Sequence, residues 1–253
     1  MPDSSARRVG LTSGRDTKVV VLTGAGISAE SGLPTFRGYG GLWEGMRPEE
    51  VATQEAFRRD PEMVWRFYHA RRQALAGVEP NAAHHALVAL ERHFTPGCLT
   101  LITQNVDDLH QRAGSRVVLP MHGELRKVRC TGCGAVGEPE GQLDSLPRCP
   151  CGALLRPHVV WFGEMPLHLA EIAQALRAAQ LFVVIGTSGR VYPAASFIFE
   201  ARTAGARTVG INIEAPETDW VYDEFHLGRA GELLPGIVQR WISASREAGE
   251  EAG

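Results

Sequence analysis

The chain has 253 residues, 44% of them hydrophobic and 22% charged, with 26 basic against 29 acidic side chains. That balance leaves no electrostatic footprint for nucleic acid, and no apolar run reaches the roughly 18 residues needed to cross a bilayer. The opening MPDSSARRVG lacks the apolar stretch of a secretion signal, which sets the expectation of a reducing cytoplasm.

In chain order, residues 1–15 read as a flexible polar tail. The first buried strand, Val19–Leu22, runs into Thr23-Gly24-Ala25-Gly26-Ile27-Ser28-Ala29. Gly24, Gly26 and Ala29 fit G-x-G-x-x-G/A, in which the first glycine permits a tight turn and the second lets backbone approach a pyrophosphate. A helix beginning there would point its amides at phosphates; a plain glycine turn is the alternative. The next convincing strand comes only at Leu99–Ile102. The residues between read as helices, Pro48–Phe57, Pro61–Ala76 and Ala82–His93, so 46–97 is expected to be a helical insertion. Further strands are expected at Val117–Leu119, Leu181–Ile185 and Val209–Ile213, with a weaker one at Phe225–Leu227. Helical patterns at Leu167–Ala179 and Ala194–Ala204 fit crossovers on a parallel sheet. The closing REAGEEAG reads as a frayed helix end at best.

Four of the five cysteines crowd into one segment as Cys130-x-x-Cys133 and Cys149-x-Cys151. Four thiolates complete a tetrahedral zinc site with no open position, so the metal would build structure; free thiols or a redox pair are the alternatives. Cys98 reads as a small buried hydrophobe. Gly186-Thr187-Ser188 and Asn212-Ile213-Glu214 follow strands, and such polar strand ends converge on the ligand crevice of an open α/β sheet. Each alone is equally a cap or a turn.

These blocks, with TQNVDDLH (103–110), MHG (121–123) and RPHVVWFGE (156–164), resemble the sirtuins, NAD-dependent protein lysine deacylases, from Lys18 to about Trp241. The resemblance implies an α/β fold: a Rossmann-like doubly wound parallel sheet (16–45, 98–126, 156–245) with a smaller domain made of the helical insertion and a zinc module (127–155). NAD is then consumed as a co-substrate, yielding nicotinamide and 2′-O-acyl-ADP-ribose, and one structural zinc is implied. His122 becomes the base that takes a proton from a ribose hydroxyl. Gly24, Ala25, Gly26, Ile27, Ser28, Thr35, Phe36, Arg37, Trp43, Gln104, Asn105, Val106 and Asp107 are implied for NAD, with Gly186, Thr187, Ser188, Asn212, Ile213, Glu214 and, beside the adenine, Ala230. Val159, Val160, Phe162 and Gly163 would pair with substrate backbone as an added strand.

Tyr68 and Arg71, three apart on one helix face, resemble the Y-x-x-R pair of the subclass that removes succinyl and malonyl groups. A guanidinium matches a carboxylate bidentately and a phenol adds a donor; surface decoration is the alternative. The implied partners are acyl-lysines of other proteins, with no nucleic acid or membrane, and a monomer is expected. A Rossmann dehydrogenase, a protein mono-ADP-ribosyltransferase and a zinc-ribbon binding module are the competing readings.

Overall fold

The structure, a computed structural model, describes residues 14–35, 46–139, 146–215 and 219–250. The tail 1–13 and the segment holding Phe36, Arg37 and Trp43 lie outside the described residues.

Val19–Thr23 (β1) is buried at all five positions, as expected of a strand covered on both faces. The chain then makes two single-turn 3₁₀ segments, Ala25–Ile27 and Ala29–Ser31, and stops at Gly32 with φ +95°. The helix expected here does not form. Ser28, at the joint of the two turns, gives its hydroxyl hydrogen to Asp107, and Pro34 follows the left-handed glycine. Helix amides are therefore not what this turn offers a phosphate.

Pro48–Val51 (α1) and Gln54–Arg59 (α2) replace the single helix expected over Pro48–Phe57. Thr53 causes the break, because its hydroxyl caps a new helix by accepting from the Ala56 amide at 3.0 Å. Pro61–Ala76 (α3) starts on an Asp60 cap with proline in its first turn, and Ala82–His93 (α4) starts on Asn81. There follow Leu99–Thr103 (β2), Leu109–Ala113 (α5), Val118–Pro120 (β3), Gly123–Cys130 (β4), Val136–Gly137 (β5) and Leu155–Val159 (β6). The rest of the chain forms Leu169–Ala178 (α6), Leu181–Ile185 (β7), Phe197–Thr203 (α7), Arg207–Asn212 (β8), Glu224–Leu227 (β9) and Ala230–Glu250 (α8).

The main sheet has the order β3-β2-β1-β7-β8-β9, parallel throughout. Strand order reverses between β1 and β7, and the crevice at their carboxyl ends is where such sheets bind ligands. One face is covered by α4 and α8, whose Leu87, Leu90, Leu234 and Ile237 join the sheet's Val19, Val21 and Val183. A fully buried leucine of this kind contributes about 1.5–3 kcal/mol. The other face is covered by α6 and α7. Although α4 falls within the stretch read as a helical insertion, its Ala83, Ala86 and Leu87 pack with the sheet.

The second sheet, antiparallel with the order β5-β4-β6, was not anticipated. Its central strand GELRKVRC carries four charges and only Leu125 and Val128 as aliphatic signals, and its register shifts between Gly123 and Val128. Helices α1–α3 lie on this sheet through Phe57, Trp65, Tyr68, Val128, Val159 and Trp161, so the two insertions share one core. Only the frayed end of the C-terminal helix α8 was expected; the helix begins at Ala230 and continues through Gly231, Pro235 and Gly236.

Candidate functional site

The turn after β1 and the turn after β7 meet backbone to backbone. Gly26 donates to the Gly186 carbonyl at 2.8 Å and Gly24 to that of Ile185 at 2.9 Å. A Cβ on Gly26 would lie 2.7 Å from Gly186 Cα, and one on Gly186, whose φ is +60°, would lie 2.5 Å from the Ile27 nitrogen. The second glycine of the fingerprint is thus needed first for protein packing. The groups left facing the crevice are short and polar.

Gln104 Nε2 donates to Thr187 Oγ1 at 2.9 Å, and Asn212 Nδ2 donates to the Thr187 carbonyl at 3.0 Å. These bonds tie the ends of β2, β7 and β8. Asn105 Nδ2 donates to the Gly24 carbonyl (3.2 Å) and to Ser28 Oγ (3.1 Å). Ser28 in turn donates to Asp107 Oδ2 at 3.0 Å, while the Leu109 amide donates to Oδ1. Burial pushes the Asp107 carboxyl up, and these donors and the nearby Arg71 cation oppose it. Beneath this layer Thr23 Oγ1 lies 3.0 Å from His110 Nε2, and the His110 ring lies against His84 with centroids 4.9 Å apart. Burial pushes both imidazoles down, His84 to about 4 and His110 to about 3, so the floor of the crevice is uncharged at neutral pH.

His122 lies between the two sheets. Gly123, directly after it, has φ +85°, and a Cβ there would lie 2.1 Å from the His158 carbonyl oxygen. The close crossing of β4 and β6 therefore requires glycine and fixes the histidine beside it. His122 Nδ1 lies 2.8 Å from the Gln104 carbonyl. A carbonyl only accepts, so Nδ1 carries the hydrogen and Nε2 carries the lone pair. Burial pushes this imidazole below its ordinary value, partly opposed by the Gln104 bond. It stands at neutral pH as a base.

Tyr68 and Arg71 lie three residues apart on one face of α3. Tyr68 is wholly buried, and its phenol oxygen accepts from Trp161 Nε1 at 3.0 Å. Arg71 lies over the Phe67 ring, 5.7 Å from its centroid, and within electrostatic reach of both Tyr68 and Asp107. The neighbouring Arg72 has a different task, donating to the Leu125 carbonyl to pin α3 onto β4.

Other residues implied for ligand binding differ in what they present. Ile27 and Ala230 are buried in the core, so only their backbones are placed to meet a nucleotide. Ser188, Ile213, Glu214 and Thr35 are exposed, and Val106 is partly buried against the α1–α3 core. Val159 is buried; the Val160 amide is bonded to the His122 carbonyl and the Phe162 amide to that of Ala52. Two of the amides expected to pair with substrate are thus already bonded within the protein, and Gly163 has φ +84°. Glu30 was passed over in the sequence, yet it caps α8 by accepting from the Gly231 amide at 2.6 Å. Its signal was its place in the glycine turn.

The sulfurs of Cys130, Cys133, Cys149 and Cys151 all lie within 4.8 Å of one another, so the short second pair still closes a four-ligand cluster. The amides of Gly132 and Cys133 donate to Cys130 Sγ at 3.3 and 3.4 Å, as in the knuckle turn of a thiolate ligand. This donor set fits one structural zinc.

A family profile described as the Sir2 family matches residues 24–193. An NAD-dependent protein deacylase of Yersinia pestis is 52% identical over 234 residues, covering 90% of this chain and 84% of the relative. Among solved structures, a Sir2 homologue–NAD complex superposes with a TM-score of 0.84 at 45% identity, covering 93% of each chain. A Sir2–p53 peptide–NAD+ complex superposes at 0.76 with 32% identity, covering 87% of this chain and 92% of the other.

Two outcomes are expected from the site as built. An NMR titration of the His122 ring should give a midpoint below 6.5 and an Nδ1–H tautomer, with the base form lost only as pH falls through that midpoint; a midpoint at 7 or above would contradict the burial argument. Purified protein should carry one zinc per chain, and Cys133→Ser should lose it and melt roughly 5–10 °C lower. Metal-free wild type of equal stability would rule out a structural zinc.

Proposed function

The chain belongs to the Sir2 family, and from that premise we propose that it prefers acidic acyl groups, succinyl and malonyl, with acetyl also removed. The activity is NAD-dependent protein lysine deacylation. The deacylase names of the relatives do not favour mono-ADP-ribosyl transfer to protein. A dehydrogenase reading calls for an acidic residue closing a second strand about 20 residues after the glycine turn. Among the described residues no strand lies between Thr23 and Leu99, and Glu44, with roughly that spacing, lies outside them.

In this reading the ends of β1, β7 and β8 hold the dinucleotide, and Gln104, Asn105 and Asp107 orient its ribose and carboxamide. Asn105 is itself fixed by Gly24 and Ser28, so its amide is preorganised. His122 Nε2 takes the proton of a ribose hydroxyl, and Nδ1, held by the Gln104 carbonyl, keeps the ring turned for it. Bound NAD supplies the electrophilic ribose carbon and the leaving nicotinamide. The edge around Val160 and Gly163 receives the substrate backbone. The reading extends to a monomer, and to the cytoplasm, whose reducing conditions suit a cluster of four free thiols.

The acyl preference rests on Tyr68 and Arg71, three residues apart on one face of α3 and within electrostatic reach of each other, with Arg71 also within reach of Asp107. A terminal carboxylate meets both groups, and an acetyl methyl meets neither. The test compares kcat/KM on matched succinyl- and acetyl-lysine peptides. Arg71→Met should cost the succinyl peptide about 10- to 100-fold while leaving the acetyl peptide within about threefold. An unchanged succinyl/acetyl ratio would refute the carboxylate clamp.

A further inference from the structure

The glycine turn after β1 depends on neighbours for its shape. Its two 3₁₀ segments, Ala25–Ile27 and Ala29–Ser31, are single turns, and helices so short have too few internal bonds to persist alone. One side chain from outside the turn grips both. Asn81, the cap of α4, donates from Nδ2 to the Ile27 carbonyl at 2.8 Å and to Ser31 Oγ at 3.0 Å. Ile27 closes the first segment and Ser31 the second, so the two bonds straddle Ser28 at the joint. Ser28 is the residue that accepts from Asn105 and donates to Asp107.

The partners of the Asn81 carboxamide fix which way it points. The Ile27 carbonyl only accepts, and the Ala83 amide, which meets Oδ1 at 2.9 Å, only donates, so nitrogen and oxygen cannot be exchanged. The Asn81 backbone is held as well, its amide donating to Nδ1 of the fully buried His84 at 3.2 Å. Serine or aspartate caps a helix about as well as asparagine does. Only a carboxamide caps the helix and also has two hydrogens to give from one nitrogen. The residue type is thus set by the glycine turn and not by α4.

We propose that Asn81 is a positioning residue for NAD, clamping both 3₁₀ segments from α4 so that Ser28 and the backbone beside it keep the shape that meets the dinucleotide. This rests on the placement of NAD at the glycine turn. The clamp acts on the turn alone, so its effect falls on the nucleotide and not on the acyl-lysine.

Asn81→Ser keeps a cap for α4 and removes the carboxamide. The Kd for ADP-ribose, read by calorimetry without turnover, and the KM for NAD should each rise about 5- to 20-fold, with the peptide KM at saturating NAD within about twofold. Ser31→Ala removes one of the two bonds, so it should raise the NAD KM by less, and it should add nothing in the Asn81→Ser background. Unchanged ADP-ribose affinity, equal rises in the KM for NAD and for peptide, or an undiminished Ser31→Ala effect in the Asn81→Ser background would each overturn the proposal. If Asn81→Ser does not fold, Asn81→Asp, which keeps the capping oxygen and has no hydrogens to give, makes the same comparison. Failure of the NAD placement shows separately, as a crystal structure of the ADP-ribose complex with the ligand away from residues 24–28.

Discussion

No side chain fits where the turn after β1 meets the turn after β7. Gly26 and Gly186 approach so closely that a Cβ on either would lie within 2.8 Å of the other's backbone. That contact places the reversal of strand order and leaves a crevice bordered by carbonyls, amides and small polar side chains. The ties from Gln104 and Asn212 to Thr187, and from Asn105 to Gly24, extend from this contact. A larger residue at either glycine would separate the two halves of the sheet and spread the polar groups that must act together.

Burial then sets the charge state of the groups around the crevice. The same desolvation that keeps His84 and His110 neutral beneath the site holds His122 neutral within it, and pushes the Asp107 carboxyl upward. His122 differs from the other two in its setting. Its Nδ1 is committed to a backbone carbonyl beside the cleft, so its basic nitrogen is defined by geometry. Arg71, on α3 in the small domain, brings a cation within reach of Asp107, and the proposed selectivity between acyl groups is built on it.

Much of this was legible in the residues because parallel, doubly covered strands are written as uninterrupted aliphatic runs. Val19–Leu22 and Leu181–Ile185 could be read directly. The glycine turn, the strand-end polar groups and the four cysteines are short local patterns, and the structure brings each set together. The antiparallel sheet was not legible, since β4 is half charged and owes its position to partners distant in sequence. Thr53 looked like one more residue of a helix until its capping bond divided α1 from α2. The hydrogen bond from Trp161 to Tyr68 joins residues 93 positions apart, which no local pattern encodes.

In the proposed mechanism the crevice couples lysine deacylation to cleavage of NAD through a neutral His122. The direct measurement is product stoichiometry: an acyl-lysine peptide and NAD are incubated with the protein, and free lysine peptide, nicotinamide and acyl-ADP-ribose are quantified together. The three should appear in equimolar amounts, and His122→Ala should lower deacylation by at least about 100-fold. Deacylation without nicotinamide release, or undiminished turnover by His122→Ala, would contradict it.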